Sequence, residues 1–332
     1  MTAITRKDFH VDCVDGVKVA IREVRPDGPA DRVPMILLHG TRIPGLSEFD
    51  LNVPNGSLAA DLAAKGHVVY ILDARGFGRS ERPAEMDEPP APYAKSLARS
   101  IEITRDVDAA ADHLIAATGQ AKVGLLGWGV GGTIVAMYAA LWPEKVSHIV
   151  PYMMIYGGAS GHPEFHIGSK WDDPEHPGRF NKKDFGNYAW NGLELLDRHW
   201  NEQIPIADKD AWRDPAMFQA FRQALIDGDP KGAEMDPPMY RSPNGMLEDL
   251  YTMAARVETL FSATQVYCKV MIVRGEYDKL SRPADMEAFI DDLVNAEAVV
   301  YWNPPDTTHY ILLDRPERGR DALLERMDEF LR

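Results

Sequence analysis

An α/β fold with a mostly parallel central sheet is predicted by two features of the chain. Short, continuously apolar runs recur along it, and segments with helical periodicity separate them. A parallel sheet buries both faces of its strands, so its strands read as unbroken apolar runs rather than as alternation. A third feature is a long interval, residues 157–262, in which this rhythm stops and Pro, Gly, Trp and Tyr are dense. The prediction is therefore a core of residues 1–156 and 263–332, flanked by helices, with residues 157–262 inserted as a helical cap.

The chain opens with "FHVDCV" and "VKVAIREV", which alternate apolar and polar residues around Asp15-Gly16 and predict an antiparallel pair. "VPMILLHG", "HVVYILDARG" and "KVGLLGWG" are the first buried strands. The helical segment "LAADLAAKG" precedes the second of these, and "IEITRDVDAAADHLIAATG" precedes the third. In the latter Ile103, Val107, Ala110 and Leu114 share one face and Gly119 suits the C-terminal cap. "VSHIVPYMMI", "YCKVMIVRG" and "AEAVVYW" supply three more strands, and "RPERGRDALLERMDEFL" is the last helix. Within the insertion "NGLELLDRHWNEQ", "DPAMFQAFRQALIDGD" and "MLEDLYTMAARVETLF" are helix-like.

Composition narrows the function. At 332 residues, 45% hydrophobic and 26% charged, the chain can bury a large core. Its formal net charge of −15 repels phosphate backbones, and no basic run offsets it, so nucleic acid is not an expected partner. No apolar segment suits a signal or a membrane span. With only Cys13 and Cys268, the chain fits a reducing compartment, and a cytoplasmic location is expected. Nothing excludes a homo-oligomer.

The stretch "GWGVGG" carries the chemistry. Gly127, Gly129 and Gly132 satisfy the G-x-G-x-x-G spacing of a dinucleotide site, but that site needs an acidic residue about 20 positions on, and "VSHIVPYMMIYGG" has none. A different reading uses five motifs in order: "LLHGT", "DARGFGRS", "GWGVGG", "RGEYD" and "THYILLDRPE". In that order they resemble the α/β-hydrolase superfamily, of the capped, esterase- or epoxide-hydrolase-like kind, from about Val17 to Arg332.

The resemblance implies a nucleophile elbow, G-x-S-x-G, a strained strand-to-helix turn that projects a serine into the pocket. Gly127 and Gly131 match its glycines, and Gly129 stands at the nucleophile position. Asp278 matches the acid and His309 the base, 309 − 278 = 31 residues apart. A carboxylate on one imidazole nitrogen fixes the tautomer that lets the other accept a proton. The oxyanion hole implied by the family uses backbone N–H groups, here Val130 and one of Thr41 or Arg42 after His39-Gly40. The alternative makes His309 a loop histidine and Asp278 a cap for the helix after "SRPADM".

Glycine at 129 admits several readings. The strain was discarded with catalysis and the chain binds a ligand without turnover; the His–Asp couple activates water; the couple deprotonates the substrate in lyase or isomerase chemistry; or a serine enzyme was deliberately inactivated. The expected function is hydrolysis of a small, partly apolar carbonyl compound, ester-like or lactone-like, without a serine and without a cofactor. Thr133 and Thr41 are weaker nucleophile candidates, and Cys268 is read as core. The aromatic side chains of the insertion, Trp171 and Trp200 among them, make its own core and line an apolar pocket. His162 and His166 have metal-ligand spacing, but Pro163 argues against a helix there and no third ligand is evident, so no metal is expected. Gly76 and Gly78 are read as structural turn glycines.

Overall fold

The computed structural model describes residues 3–332, so the first two residues of the 1–156 unit lie outside the described residues. Ten strands form: β1 (Ile4–Asp12), β2 (Lys18–Pro26), β3 (Met35–Leu38), β4 (Val69–Leu72), β5 (Val123–Trp128), β6 (Val146–Tyr152), β7 (Tyr188–Gly192), β8 (Met239–Pro243), β9 (Lys269–Val273) and β10 (Ala298–Trp302). Eight of them make one sheet in the order β1-β2-β4-β3-β5-β6-β9-β10. The opening pair is antiparallel, with Asp12 opposite Lys18 across the Asp15-Gly16 turn, and β2 runs antiparallel to β4. From β4 to β10 every neighbour is parallel.

Helices cover both faces of this sheet, which explains the unbroken apolar runs. Ile36 and Leu38 of β3 point to the same side as Ile103, Val107, Ala110 and Leu114 of α3 (Ser100–Thr118). On that side also lie α4 (Val130–Leu141) and α10 (Pro283–Asp292). Met35 and Leu37 point to the other, with α2 (Leu58–Ala64) and α11 (Arg320–Phe330). Gly119 caps α3 in the left-handed conformation, φ +70°, as the sequence requires. The last helix begins later than its periodicity suggests. Gly319, at φ +106°, separates a single 3-10 turn at Pro316–Arg318 from α11.

A short helix, α1 (Gly45–Phe49), follows β3, and the long interval between β6 and β9 carries α5 (Lys182–Phe185), α6 (Glu194–Gln203), α7 (Pro215–Asp227), α8 (Pro230–Ala233) and α9 (Gly245–Arg256). This interval is not purely helical as expected: β7 and β8 pair antiparallel in a separate two-stranded sheet, Tyr188 opposite Pro243. Both strands have five residues, and their pairing is long-range, so no local period announces them. The interval packs onto the sheet: Trp200 of α6 stacks on Tyr310, with centroids 4.5 Å apart. Among the described residues no helix is long and apolar enough to cross a membrane.

Candidate active site

The turn from β5 to α4 is held open by glycine. Gly129 adopts φ +57°, ψ −123°, a conformation that strains any residue with a side chain. Its N–H donates to the Tyr152 carbonyl, 2.8 Å away. A Cβ added at Gly127 would sit 2.1 Å from the Gly131 carbonyl oxygen, and one at Gly131 would sit 2.3 Å from the His39 carbonyl oxygen. At Gly129 nothing lies within 4 Å. The flanking glycines are thus required by close packing, whereas position 129 has room for a side chain.

His309 and Asp278, from loops after β10 and β9, meet beside this turn. His309 Nδ1 lies 2.8 Å from Asp278 Oδ2, and both side chains are buried. Asp278 Oδ1 also accepts the N–H groups of Leu280 and Ser281, so this carboxylate is both partner of the imidazole and a turn cap. Burial pushes its pKa up, but His309 and the two N–H donors outweigh that and hold it below the ordinary value. The backbone of His309 is fixed too: its N–H donates to Gln203 Oε1 of α6, and its carbonyl accepts from the Tyr152 hydroxyl.

The other ring nitrogen is already occupied. The indole Nε1–H of Trp128, the residue before Gly129, lies 2.8 Å from His309 Nε2. An indole N–H can only donate, so Nε2 is the acceptor and the proton sits on Nδ1, facing Asp278. Sequence reasoning missed this contact. Trp128 was not singled out in the sequence, and a contact between residues 181 apart leaves no local signal.

The N–H groups of Thr41, Arg42 and Val130 donate to no group among the described residues. Val130 is the first residue of α4, where the helix leaves its N–H unpaired. His39 is structural: Nδ1 donates to the Gly40 carbonyl while Nε2 accepts the Ala74 N–H, tying the ends of β3 and β4 together. Asp73 does similar work, accepting the N–H groups of Gly45 and Arg79, and a Cβ at Gly78 would lie 2.3 Å from its carboxylate. Gly78 is a packing requirement and not a phosphate cradle.

Gly40, Thr41, Arg42, Trp128, Gly129 and His309 line one cavity of about 180 Å³. Phe165, Trp171, Leu195 and Leu196 of the inserted interval line its other side, with Leu247 and Leu250 of α9. Two further groups in it were not singled out from sequence. Glu48, 2% exposed, accepts the Gly40 N–H at 3.1 Å, and burial pushes its pKa well up, which favours the neutral acid. His199 of α6 meets the Tyr310 hydroxyl at 2.8 Å, and burial, with His309 nearby, pushes its pKa down to about 4. It is therefore neutral at pH 7.

The remaining candidates lie elsewhere or are spent. Thr133 is buried and donates to the Ile155 carbonyl. Cys268 is buried, and burial pushes its thiol up to about 12, far from a reactive thiolate. His162 accepts the Phe165 N–H at Nδ1 and faces the Leu280 carbonyl with Nε2, so both nitrogens serve the backbone.

Sheet order, elbow and site together define an α/β-hydrolase fold. The sequence profile of the α/β hydrolase fold family matches residues 33–153. The 1-acylglycerol-3-phosphate O-acyltransferase ABHD5 of Sus scrofa is 34% identical over 121 residues, 36% of this chain and 29% of that one. The poly(3-hydroxyalkanoate) polymerase subunit PhaC of Haloferax mediterranei is 26% identical over 264 residues, 74% of this chain and 48% of that one. The matches span less than half the length of either relative. Among solved structures, the enol-lactonase from Burkholderia xenovorans LB400 superposes with a TM-score of 0.60 at 16% identity, covering 97% of this chain and 99% of that chain, a likeness of fold alone. The chain has the α/β-hydrolase fold, and its residues 33–153 match the profile of that fold family.

Proposed function

We propose that this chain is a hydrolase of a small, partly apolar carbonyl compound, ester-like or lactone-like, that works without a serine nucleophile. The observation that supports the reading is the Asp278–His309 pair, 2.8 Å apart, on the wall of an apolar cavity that also holds the strained turn at Gly129. A substrate carbonyl beside Gly129 would direct its oxygen to the free N–H groups of Val130 and of Thr41 or Arg42. Water would displace the Trp128 N–H from His309 Nε2. The imidazole would take one proton from that water as its oxygen attacks the carbonyl carbon. The same proton would pass to the departing alkoxide, leaving acid and alcohol, with Asp278 stabilising the transient imidazolium.

A second reading is favoured by the Trp128–His309 bond itself: with Nε2 engaged, the chain binds its ligand and does not turn it over. A panel of p-nitrophenyl esters and lactones, assayed in ¹⁸O-labelled water, separates the readings. Hydrolysis places one labelled oxygen in the acid and is lost in His309→Ala. Turnover without label points to lyase or isomerase chemistry by the same couple. No turnover of any panel member, with ligand affinity kept in His309→Ala, supports the binding protein.

A further inference from the structure

Arg42 enters the cavity with almost none of its hydrogen-bonding capacity used. One guanidinium nitrogen donates to Asn191 Oδ1 of β7, and the group lies 6.0 Å from the Trp171 ring centroid. The amide of Asn191 is itself oriented, because its NH₂ donates to Ser242 Oγ at 2.9 Å, which fixes the oxygen toward Arg42. A guanidinium carries five N–H donors in a planar fork, so the remaining ones are unspent. Lys170 approaches the same indole, its Nζ 4.6 Å from the ring centroid, and lines the same cavity.

Neither Arg42 nor Lys170 forms an ion pair among the described residues, although Glu48, Glu164 and Glu202, with Arg198, also line the cavity. In a chain with 51 acidic and 36 basic residues most inward-facing arginines are paired, Arg213, which lies over Phe218 and Trp200, being another without a carboxylate. Arg75 pairs with Asp15 and Asp106, Arg99 with Asp249, and Arg241 with Asp229. Arg274, which lacks a carboxylate, donates to the carbonyls of Ser281 and Asp278. The backbone of Arg42 is also committed, at φ +74°, a left-handed conformation that costs a residue with a side chain about 1–2 kcal/mol. An unpaired cation held by a strained loop at a cavity wall is a site awaiting an anion.

We propose that Arg42, supported by Lys170, is a subsite for the carboxylate of the substrate, so that the compound acted on beside Gly129 is an acidic ester or lactone. A planar carboxylate matches the guanidinium fork in two parallel bonds. The apolar remainder would lie against Trp171, Phe165 and Leu250. The substrate assignment rests on the hydrolase reading above, whereas the anion subsite does not require turnover.

The test measures binding by the full chain of 3-phenylpropionate and its neutral isostere 3-phenylpropionamide, by calorimetry at low ionic strength. The acid is expected to bind at least about tenfold more tightly than the amide, a ratio within what one charge-assisted pair supplies. Arg42→Met should bring the ratio below about twofold, and Arg42→Lys, which keeps charge but not the fork, should leave it intermediate. Should Arg42→Met fail to fold, Arg42→Lys and the exposed Lys170→Met carry the test, each lowering the ratio severalfold. Equal affinity, no measurable binding of either probe, or an unchanged ratio in these variants overturns the proposal. The two readings fail separately: a preserved ratio without ester turnover removes the hydrolase and keeps the subsite, while turnover indifferent to the carboxylate does the reverse.

Discussion

Replacing Gly129 by serine is the most informative single change. Its cost follows from the structure. A Cβ at this position meets no heavy atom within 4 Å, so the only penalty is the backbone at φ +57°, ψ −123°, about 1–3 kcal/mol for a residue with a side chain. For a chain of 332 residues the unfolding entropy is roughly 0.7 kcal/mol/K, which makes each kcal/mol worth about 1.4 °C of melting temperature. Gly129→Ser should therefore fold and melt about 1.5–4 °C lower. Its hydroxyl would then compete with the Trp128 indole for His309 Nε2, one neutral hydrogen bond against another at about 1 kcal/mol each. Removing the competitor in Gly129→Ser/Trp128→Phe should raise the fraction of activated serine about twofold, because two equal bonds share the imidazole about evenly. The assay is fluorophosphonate labelling, read as the rate of covalent mass gain in intact protein, beside a thermal melt. A folded double variant that takes no label would refute the elbow assignment, and a melting loss above about 10 °C would refute the claim of free space at position 129.

Three other outcomes follow from the same geometry. Gly131→Ala forces a Cβ to within 2.3 Å of the His39 carbonyl oxygen, a backbone clash with no flexible partner, so it should melt much lower than Gly129→Ser or fail to accumulate; equal melts would contradict the packing argument. Trp128→Phe in the otherwise unaltered chain should free Nε2 and raise p-nitrophenyl acetate hydrolysis severalfold in a His309-dependent way, and an unchanged rate would mean that the indole does not limit the base. Burial pushes the Asp314 carboxyl up to about 6, although Thr308 and the indoles of Trp200 and Trp212 pull it down. A carboxyl raised on folding binds its proton more tightly in the folded state, so its contribution is full below about pH 4 and is lost as pH rises towards and through about 6. Asp314→Asn lacks that loss, so its urea-unfolding stability relative to the parent should rise between pH 4 and 7; a constant difference would refute the shift.

The sheet was legible because burial on both faces writes itself into the residues. Met35 and Leu37 serve one layer while Ile36 and Leu38 serve the other, which leaves no polar position in the strand. The elbow was legible because Gly127 and Gly131 are demanded by backbone contacts below 2.5 Å, a constraint no other residue satisfies. What the sequence hid depends on contacts between distant segments. Tyr188–Gly192 and Met239–Pro243 become strands only because they find each other, and Asn191 becomes a guide for Arg42 only in that pairing. Glu48 and His199 read as ordinary polar residues of short helices until burial changes their chemistry. Asp278 was posed as imidazole partner or helix cap: it contacts the imidazole, while its other oxygen serves the turn at Leu280 and Ser281 and not α10, whose N-terminal cap position is held by Arg282.

Gly129 and Trp128 are best understood as a single arrangement. In a serine elbow the hydroxyl satisfies the inner imidazole nitrogen and hands it a proton during attack. With glycine there, His309 Nε2 would be a buried acceptor without a donor, at a cost of about 1–3 kcal/mol. The Trp128 N–H supplies the donor, and the indole is held by edge contacts with Tyr152 and Tyr310, centroids 4.9 and 5.8 Å away. An indole at neutral pH does not surrender its proton to imidazole, so this donor satisfies the nitrogen without priming it. Any chemistry at His309 must begin by exchanging that bond for one from water or from a ligand hydroxyl. Because the two bonds are similar in strength, the exchange is governed by what the cavity holds rather than by a high barrier. Under the proposed function, His309 is thereby coupled to occupancy: a ligand that positions an O–H at Nε2 would displace Trp128, and one that only fills the apolar wall would not.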